Sequence, residues 1–242
     1  MKLPLLPVLA SALLLAGCTT TSISNSGYRA NQYGASGNNT VAYRGELDQW
    51  DVLGVNTDTE VTEEAIQNAL AEHTTPPLQV GQKLLVIQSG ALLPDPEMQE
   101  ALGEYFSVEP FTGQPDPDDF KAAPLHKRLR LAAARGGIDT LVVYWGLVDS
   151  TKEGEVTNSV SWLPFVGQII PDETKHMRIR LKVAVIDVST GNWTVLNTEP
   201  VSAESISSRM NREASHDKMV LALKREVYQQ AAQELREYAN RS

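Results

Sequence analysis

Residues 138–148 read IDTLVVYWGLV, and this stretch is the most strand-like part of the chain. It is a run of aliphatic, β-branched and aromatic side chains, which are the residues that strands favour. Gly136 and Gly137 precede it and are typical of a helix end. The apolar face of that helix would consist of Leu125, Leu129, Ala132 and Ala133. The sequence therefore predicts a helix that leads directly into a strand.

On the C-terminal side, the pattern predicts a second strand, a hairpin and a long helix. Residues 177–188 alternate between apolar and polar positions, which indicates a strand with one buried face. The turn residues 189–192 (STGN) lead into the apolar residues 193–196, so we expect a hairpin. From about residue 211 to residue 238 the apolar residues form one helical stripe: Val220, Leu223, Val227, Ala231, Leu235 and Tyr238.

On the N-terminal side, residues 83–87 (KLLVI) predict a buried strand, and residues 107–111 predict an edge strand. Between them, Asp95 and Pro96 indicate a helix start with Asp95 as the N-cap. This order of elements predicts an α/β (α+β) sandwich over residues 78–242. In it, a mixed sheet of about five strands is covered by about three helices.

A small strand-helix extension is predicted at residues 45–77, before the main domain. Trp50 to Val55 has the composition of a short strand. Thr62 is typical of an N-cap, because two glutamates follow it in the first turn of a helix. The apolar face of that helix would be Ile66, Ala69, Leu70 and His73.

The leader ends at Leu15-Ala16-Gly17-Cys18, after an apolar run that Lys2 precedes. The run is shorter than the roughly 20 residues that a membrane span needs, and its positive start and small-residue exit are typical of a signal peptide. The four residues resemble the lipobox of bacterial lipoproteins. That resemblance implies a signal peptide at residues 1–17 and acylation of Cys18. An ordinary secretory signal is the alternative, although it would leave the only cysteine free.

The residues after Cys18 predict a cellular location and a tether. Thr19 stands where an inner-membrane retention signal would have aspartate, so the resemblance implies the periplasmic face of the outer membrane. Residues 18–44 are rich in Ser, Thr, Asn and Gly and have no apolar period, which predicts a lipidated flexible tether. The tyrosines in it leave open that the segment docks on the domain or on a partner.

Composition limits the classes of function. The formal charge of −9 argues against nucleic acid, which needs a basic footprint. The four histidines lack the spacing of a zinc site and there is no second cysteine, so we expect neither a metal nor a cofactor. Ser89 follows a predicted strand but lacks the spacing of a nucleophile elbow. We therefore expect a protein that is not an enzyme.

A long excursion at residues 150–176 separates two predicted strands. Its flanks are polar, whereas its centre holds the candidate interaction patch, which consists of Trp162, Leu163, Phe165, Val166, Ile169 and Ile170. Long segments inside compact domains tend to be functional, and clustered large apolar side chains are typical of contact surfaces. The patch could pack on its own domain, contact a protein or contact lipid, and the sequence leaves these alternatives open.

The stretch from Ala132 to Val148, together with the later hairpin turn Asp187-Val188-Ser189-Thr190-Gly191, carries a wider resemblance. It resembles the periplasmic α/β domain of curli-secretion-channel lipoproteins. It is also similar to the lipoprotein activators of penicillin-binding proteins and to the N-terminal domain of the Tol-Pal β-propeller protein. The resemblance implies an interaction or assembly module that contacts another envelope protein or forms a homo-oligomer. An envelope hydrolase or peptidase and a small-molecule-binding or glycan-binding lipoprotein are the alternatives.

Overall fold

The computed structural model describes residues 19–26, 43–55, 61–115, 123–153, 173–207 and 212–242, and these ranges form an α+β sandwich. The strands are β1 (Thr19–Ser22), β2 (Lys83–Gln88), β3 (Ser107–Phe111), β4 (Thr140–Glu153), β5 (Glu173–Asp187), β6 (Trp193–Asn197) and β7 (Val201–Ser207). The α helices are α1 (Gln49–Val52), α2 (Glu63–Glu72), α3 (Pro96–Gly103), α4 (Leu125–Arg135) and α5 (Arg212–Ala239). The predicted fold class is confirmed.

The centre of the sheet is a long antiparallel pair, in which β4 and β5 stay in register from Thr140↔Asp187 to Glu153↔Thr174. At the end where β4 begins, the sheet is broad, with the order β3-β2-β4-β5-β6 and parallel pairing of β2 to both its neighbours. At the other end, β1 pairs with β4 and β7 pairs with β5, both antiparallel. We call these two parts the broad half and the distal half of the sheet.

One face of the sheet is covered by α3 and α5 and holds the larger core. Alternate residues of β4 and β5 point into it, among them Val142, Tyr144, Ile179 and Val183. The stripe predicted for α5 packs against them, and all six of its residues are buried. Full burial of one such aliphatic side chain stabilises the fold by about 1.5–3 kcal/mol, so this face accounts for much of the hydrophobic stabilisation.

The opposite face is covered only in part. The helices α1 and α4 pack on the broad half, where Val52, Leu129 and Ala133 meet Leu141 and Val143. On the distal half, the same face carries Leu147, Asp149, Arg178 and Arg180, and the leucine is 44% exposed. Within the described ranges, no helix lies over that part of the sheet.

The extension differs from its prediction at the first element. The segment around Trp50 forms the helix α1 rather than a strand, because the Asp48 carboxylate accepts hydrogen bonds from the backbone N–H groups of Trp50 and Asp51. Such an N-cap outweighs the strand preference of Trp and Val, since strand propensities differ by only about 1 kcal/mol. Thr62 caps α2 as predicted, accepting from Ala65 N at 3.1 Å. The predicted apolar face of α2 is not buried, however, and Leu70 is 67% exposed.

The N-terminal residues also differ from their prediction. Thr19–Ser22 is strand β1, and a short 3-10 helix follows at Ile23–Asn25, so a flexible tether over residues 18–44 is wrong for residues 19–26. Polar composition was misleading here because β1 is held by backbone pairing with β4, and a single apolar side chain, Ile23, is buried beneath it. Residues 27–42 of the predicted tether lie outside the described residues.

Candidate binding cleft

A cleft of about 650 Å³ opens on the partly covered face, where α1 ends and the distal half of the sheet begins. This volume is within the range of about 300–1,000 Å³ that ligand sites usually have. The cleft is lined by Glu46, Leu47, Asp48, Gln49, Trp50, Trp145, Gly146, Leu147, Arg180, Leu181, Lys182, Asn197 and Thr198. One wall therefore comes from the segment that leads into α1, and the floor comes from β4 and β5.

Apolar side chains form the floor and the rim of the cleft. Trp145 is buried in the floor, and its indole Nε1 donates to the backbone oxygen of Leu47 at 2.9 Å, which fixes both groups. Trp50 on the rim is 63% exposed, and Leu147 is also substantially exposed. Covering apolar surface releases about 25 cal/mol per Å², so these two side chains are a source of binding free energy.

Charged groups of both signs surround this apolar surface. Lys182 donates to Gln49 Oε1 at 2.9 Å, which joins the floor to α1. Arg180 and Arg178 both contact Asp149 Oδ2, at 2.8 Å and 3.2 Å. Burial raises the pKa of Asp149, but hydrogen bonds from Thr20 and the two arginines outweigh it and hold that pKa below its usual value. The site thus offers donors and acceptors around exposed tryptophan and leucine, as protein-binding surfaces do.

The wall of the cleft is held in place by the docked N-terminal residues. The Ser22 hydroxyl donates to Glu46 Oε1, to which Tyr43 OH also donates, at 3.2 Å. Burial, followed by the charge of Glu46, raises the pKa of Tyr43.

The Ser89 hydroxyl accepts from Leu47 N at 2.8 Å, and the Ser89 carbonyl accepts from Ser24 Oγ at 2.6 Å. The position of residues 43–48 therefore depends on the position of residues 19–26.

Beneath the N-terminal residues lies a buried polar network. Lys224 is 1% exposed, and its Nζ donates to the Ile23 carbonyl at 2.9 Å and to Asp95 Oδ2 at 2.8 Å. Tyr228 OH donates to the same carboxylate oxygen at 2.6 Å. Burial, followed by the charge of Asp95, raises the pKa of Tyr228 well above its usual value. Asp95 stands at the N-cap of α3 as predicted but makes no side-chain cap hydrogen bond, since its carboxylate serves this network instead.

The structure does not describe the site residues chosen from the sequence. Cys18 and the six residues of the candidate interaction patch fall outside the described residues. The structure does place the flanks of the excursion, because residues 150–153 and 173–176 belong to β4 and β5 and remain paired. Sequence reasoning missed the cleft because it assigned Trp50 to a strand. The basic positions Arg178, Arg180 and Lys182, which alternate with buried residues, were the available signal.

Two further properties concern the described ranges alone. In them, no group of three or more His, Cys, Asp or Glu side chains is arranged to hold a metal ion. Of the helices in these ranges, none combines the length and the apolar character that a membrane span requires.

Comparison with known proteins gives one family. The model of a family described as YafT bacterial lipoprotein matches residues 48–238, which include the cleft-forming α1, the sheet from β2 to β7 and most of α5. None of the curated proteins matches the chain. The family match supports a bacterial lipoprotein, whereas the finer resemblance to the curli, penicillin-binding-protein activator and Tol-Pal groups is not confirmed by it.

Three solved structures share a weak likeness with the chain. A PelC dodecamer from Paraburkholderia phytofirmans is 13% identical, with a TM-score of 0.28 over 66% of this chain and 95% of that one. A hypothetical protein from Chlamydia trachomatis is 11% identical, with a TM-score of 0.33 over 67% and 99%. A neuraminyllactose-binding hemagglutinin homologue from Helicobacter pylori is 9% identical, with a TM-score of 0.27 over 68% and 89%. These TM-scores are too low to support an argument about fold or function.

Proposed function

The chain belongs to the YafT bacterial lipoprotein family, and from this premise we propose that it is a non-enzymatic interaction module of the cell envelope. Acylation of Cys18 holds it at the periplasmic face of the outer membrane. The cleft beside α1 takes up a polypeptide segment, either from another envelope protein or from a second copy of the chain. Exposure of Trp50 and Leu147, which both line this cleft, is the observation that carries the proposal.

The chemistry of the cleft supports a protein partner. Tryptophan and arginine are the residue types that dominate binding free energy at protein interfaces, and Trp50 and Arg180 both line this cleft. Glu46 and Asp48 of the segment that leads into α1, together with Arg180 and Lys182 of β5, provide for the mixed charges of a polypeptide. A partner that covers the two exposed apolar side chains removes their surface from water, and this burial contributes favourably to the binding free energy.

The local structure around Ser89 supports a role without catalysis. A nucleophilic serine needs an adjacent general base that takes its proton. The Ser89 hydroxyl is buried instead and accepts the backbone N–H of Leu47, so it serves to hold the cleft wall. Reaction of the purified protein with a serine-directed phosphonate probe would contradict this part of the proposal.

The test of the cleft uses a photo-reactive amino acid in place of Leu147 in living cells. We expect discrete crosslinked species from position 147 and none of the same species from position 131, which is exposed on α4. Adding Trp50→Ala should reduce the crosslinked yield, whereas adding Trp193→Ala, a second exposed tryptophan outside the cleft, should leave it unchanged. Identical species from both positions, or a yield insensitive to Trp50→Ala, would contradict a protein contact at the cleft.

A glycan is the second candidate, because an exposed indole beside amide side chains also suits a sugar ring. Trp50 is accompanied in the cleft by Gln49 and Asn197. Soluble peptidoglycan fragments should then change the fluorescence of the protein, and Trp50→Ala should abolish that change. Absence of any saturable change would leave the polypeptide as the occupant.

A further inference from the structure

The position of β1 has a consequence for how the domain meets the membrane. Thr19 follows Cys18 directly in the sequence and is paired with Ser150 of β4. Thr20 adds a side-chain hydrogen bond to Asp149 Oδ1 at 2.8 Å. Ile23 is buried, and its carbonyl accepts from Lys224. The first residues after Cys18 are therefore part of the folded domain.

The direction of β1 determines which end of the sheet lies next to Cys18. Because β1 runs antiparallel to β4, Thr19 lies toward the end where β4 finishes at Glu153 and β5 begins at Glu173. Past the Thr19↔Ser150 pair, β4 continues for residues 151–153, which corresponds to about 10 Å at about 3.3 Å per residue. Neighbouring Cα atoms are about 3.8 Å apart, so an acyl group on Cys18 leaves Thr19 close to the lipid.

We infer that the distal end of the sheet, formed by residues 150–153 of β4 and 173–176 of β5, is the surface of the domain that contacts phospholipid headgroups. The inference rests on the proposed acylation of Cys18. The orientation follows from covalent connection and strand pairing rather than from charge.

The same geometry places the opposite end of the sheet far from lipid. Thr140, where β4 begins, is ten positions from Ser150, about 33 Å along the strand. Residues 27–42 follow β1 in the sequence, so they do not stand between Cys18 and the strand that joins the domain to the anchor. The cleft opens on the partly covered face at residues 145–147 of β4, between these two ends of the sheet.

Fluorescence energy transfer from a dye on the protein to headgroup-labelled phospholipid tests this orientation. The sample is the full acylated protein in vesicles of phosphatidylethanolamine and phosphatidylglycerol. Since acylation blocks Cys18, one new cysteine carries the donor dye. Ser202→Cys reports the distal half, because Ser202 is exposed and pairs with Arg178. Asp139→Cys reports the opposite end and is also exposed. We expect transfer several-fold more efficient from position 202 than from position 139.

A linker variant is the matched control. A Gly/Ser linker of about 20 residues, inserted between Cys18 and Thr19 with a threonine kept after the cysteine, gives the domain a reach of about 25 Å. The difference between the two dye positions should then shrink. Equal transfer from positions 202 and 139 in the protein without the linker overturns the orientation while the anchor stands. Failure of the protein to float with vesicles overturns both the anchor and the lipid contact.

Discussion

Gly146 provides the space into which Ile23 packs. A Cβ atom on Gly146 would lie 2.7 Å from Cγ2 and Cδ1 of Ile23, well inside van der Waals contact. Gly146 lies within β4, where glycine often marks the close approach of another segment. The pair therefore couples the centre of the sheet to the docked N-terminal residues.

Gly146→Ala should destabilise the protein by about 1–3 kcal/mol, the usual effect of overpacking a core. The new methyl group meets both Ile23 and Leu181 Cδ2, so part of the strain should disappear in a background that carries Ile23→Ala. Chemical unfolding of the two single variants and the double variant gives the coupling free energy. Strict additivity would show that Ile23 is not packed at this position.

Lys224→Met should cost about 3–5 kcal/mol of stability, because it leaves the Asp95 carboxylate without its buried cation. It also removes the donor to the Ile23 carbonyl, so protease cleavage within residues 19–26 should become faster. Lys218→Met is the control, since Lys218 is exposed on the same helix, and it should change stability by less than about 0.5 kcal/mol. Similar effects of the two substitutions would contradict the role of the network.

Asp149→Asn should make stability less dependent on pH under acidic conditions. The pKa of folded Asp149 lies below its unfolded value of about 3.9. Its stabilising contribution is therefore complete above that value and is lost as the pH falls through the folded pKa. Its arginine partners are about half exposed, so we expect a difference of about 1 kcal/mol or less. Unfolding curves of wild type and variant should differ at neutral pH and converge once the pH has fallen below the folded pKa of Asp149.

Cys18→Ala should abolish acylation and leave an unprocessed or soluble protein. Labelling with a fatty-acid analogue and fractionation of the membranes measure this directly. Cys18→Thr also removes the thiol and should behave in the same way. Normal acylation and membrane partition of Cys18→Ala would contradict the anchor.

Trp162→Ala and Phe165→Ala test the candidate interaction patch. We expect each substitution to change stability by less than about 0.5 kcal/mol, as at a surface, and to weaken association with vesicles or partner by about 2 kcal/mol if the residue is a hot spot. Thermal melts and sedimentation with vesicles separate the two effects. A loss of about 3–5 kcal/mol in stability with unchanged association would show that the patch packs in the protein's own core.

The elements that the sequence predicts well are those with a local signal. The buried stripe of α5 repeats at helical spacing, and the alternation in β5 marks its two faces, so both follow from residues near each other in the chain. In contrast, β1 is polar and β7 is rich in serine, so the identity of these strands depends on backbone pairing with the distal parts of β4 and β5. The cleft depends on similarly distant contacts, so the alternating basic positions of β5 indicate its floor, whereas its wall at residues 46–50 has no local signal.

The docking of β1 also sets an order of events during biogenesis. Its contacts join residues far apart in the chain, with a separation of 129 positions for Thr20 and Asp149 and 201 for Ile23 and Lys224. Contacts of such long range form late in folding, since the chain between them must first be ordered. We expect residues 19–26 to remain unpaired while the chain emerges and the cysteine is processed. Pairing of β1 with β4 would then follow, and completion of the fold would bring the domain against its membrane.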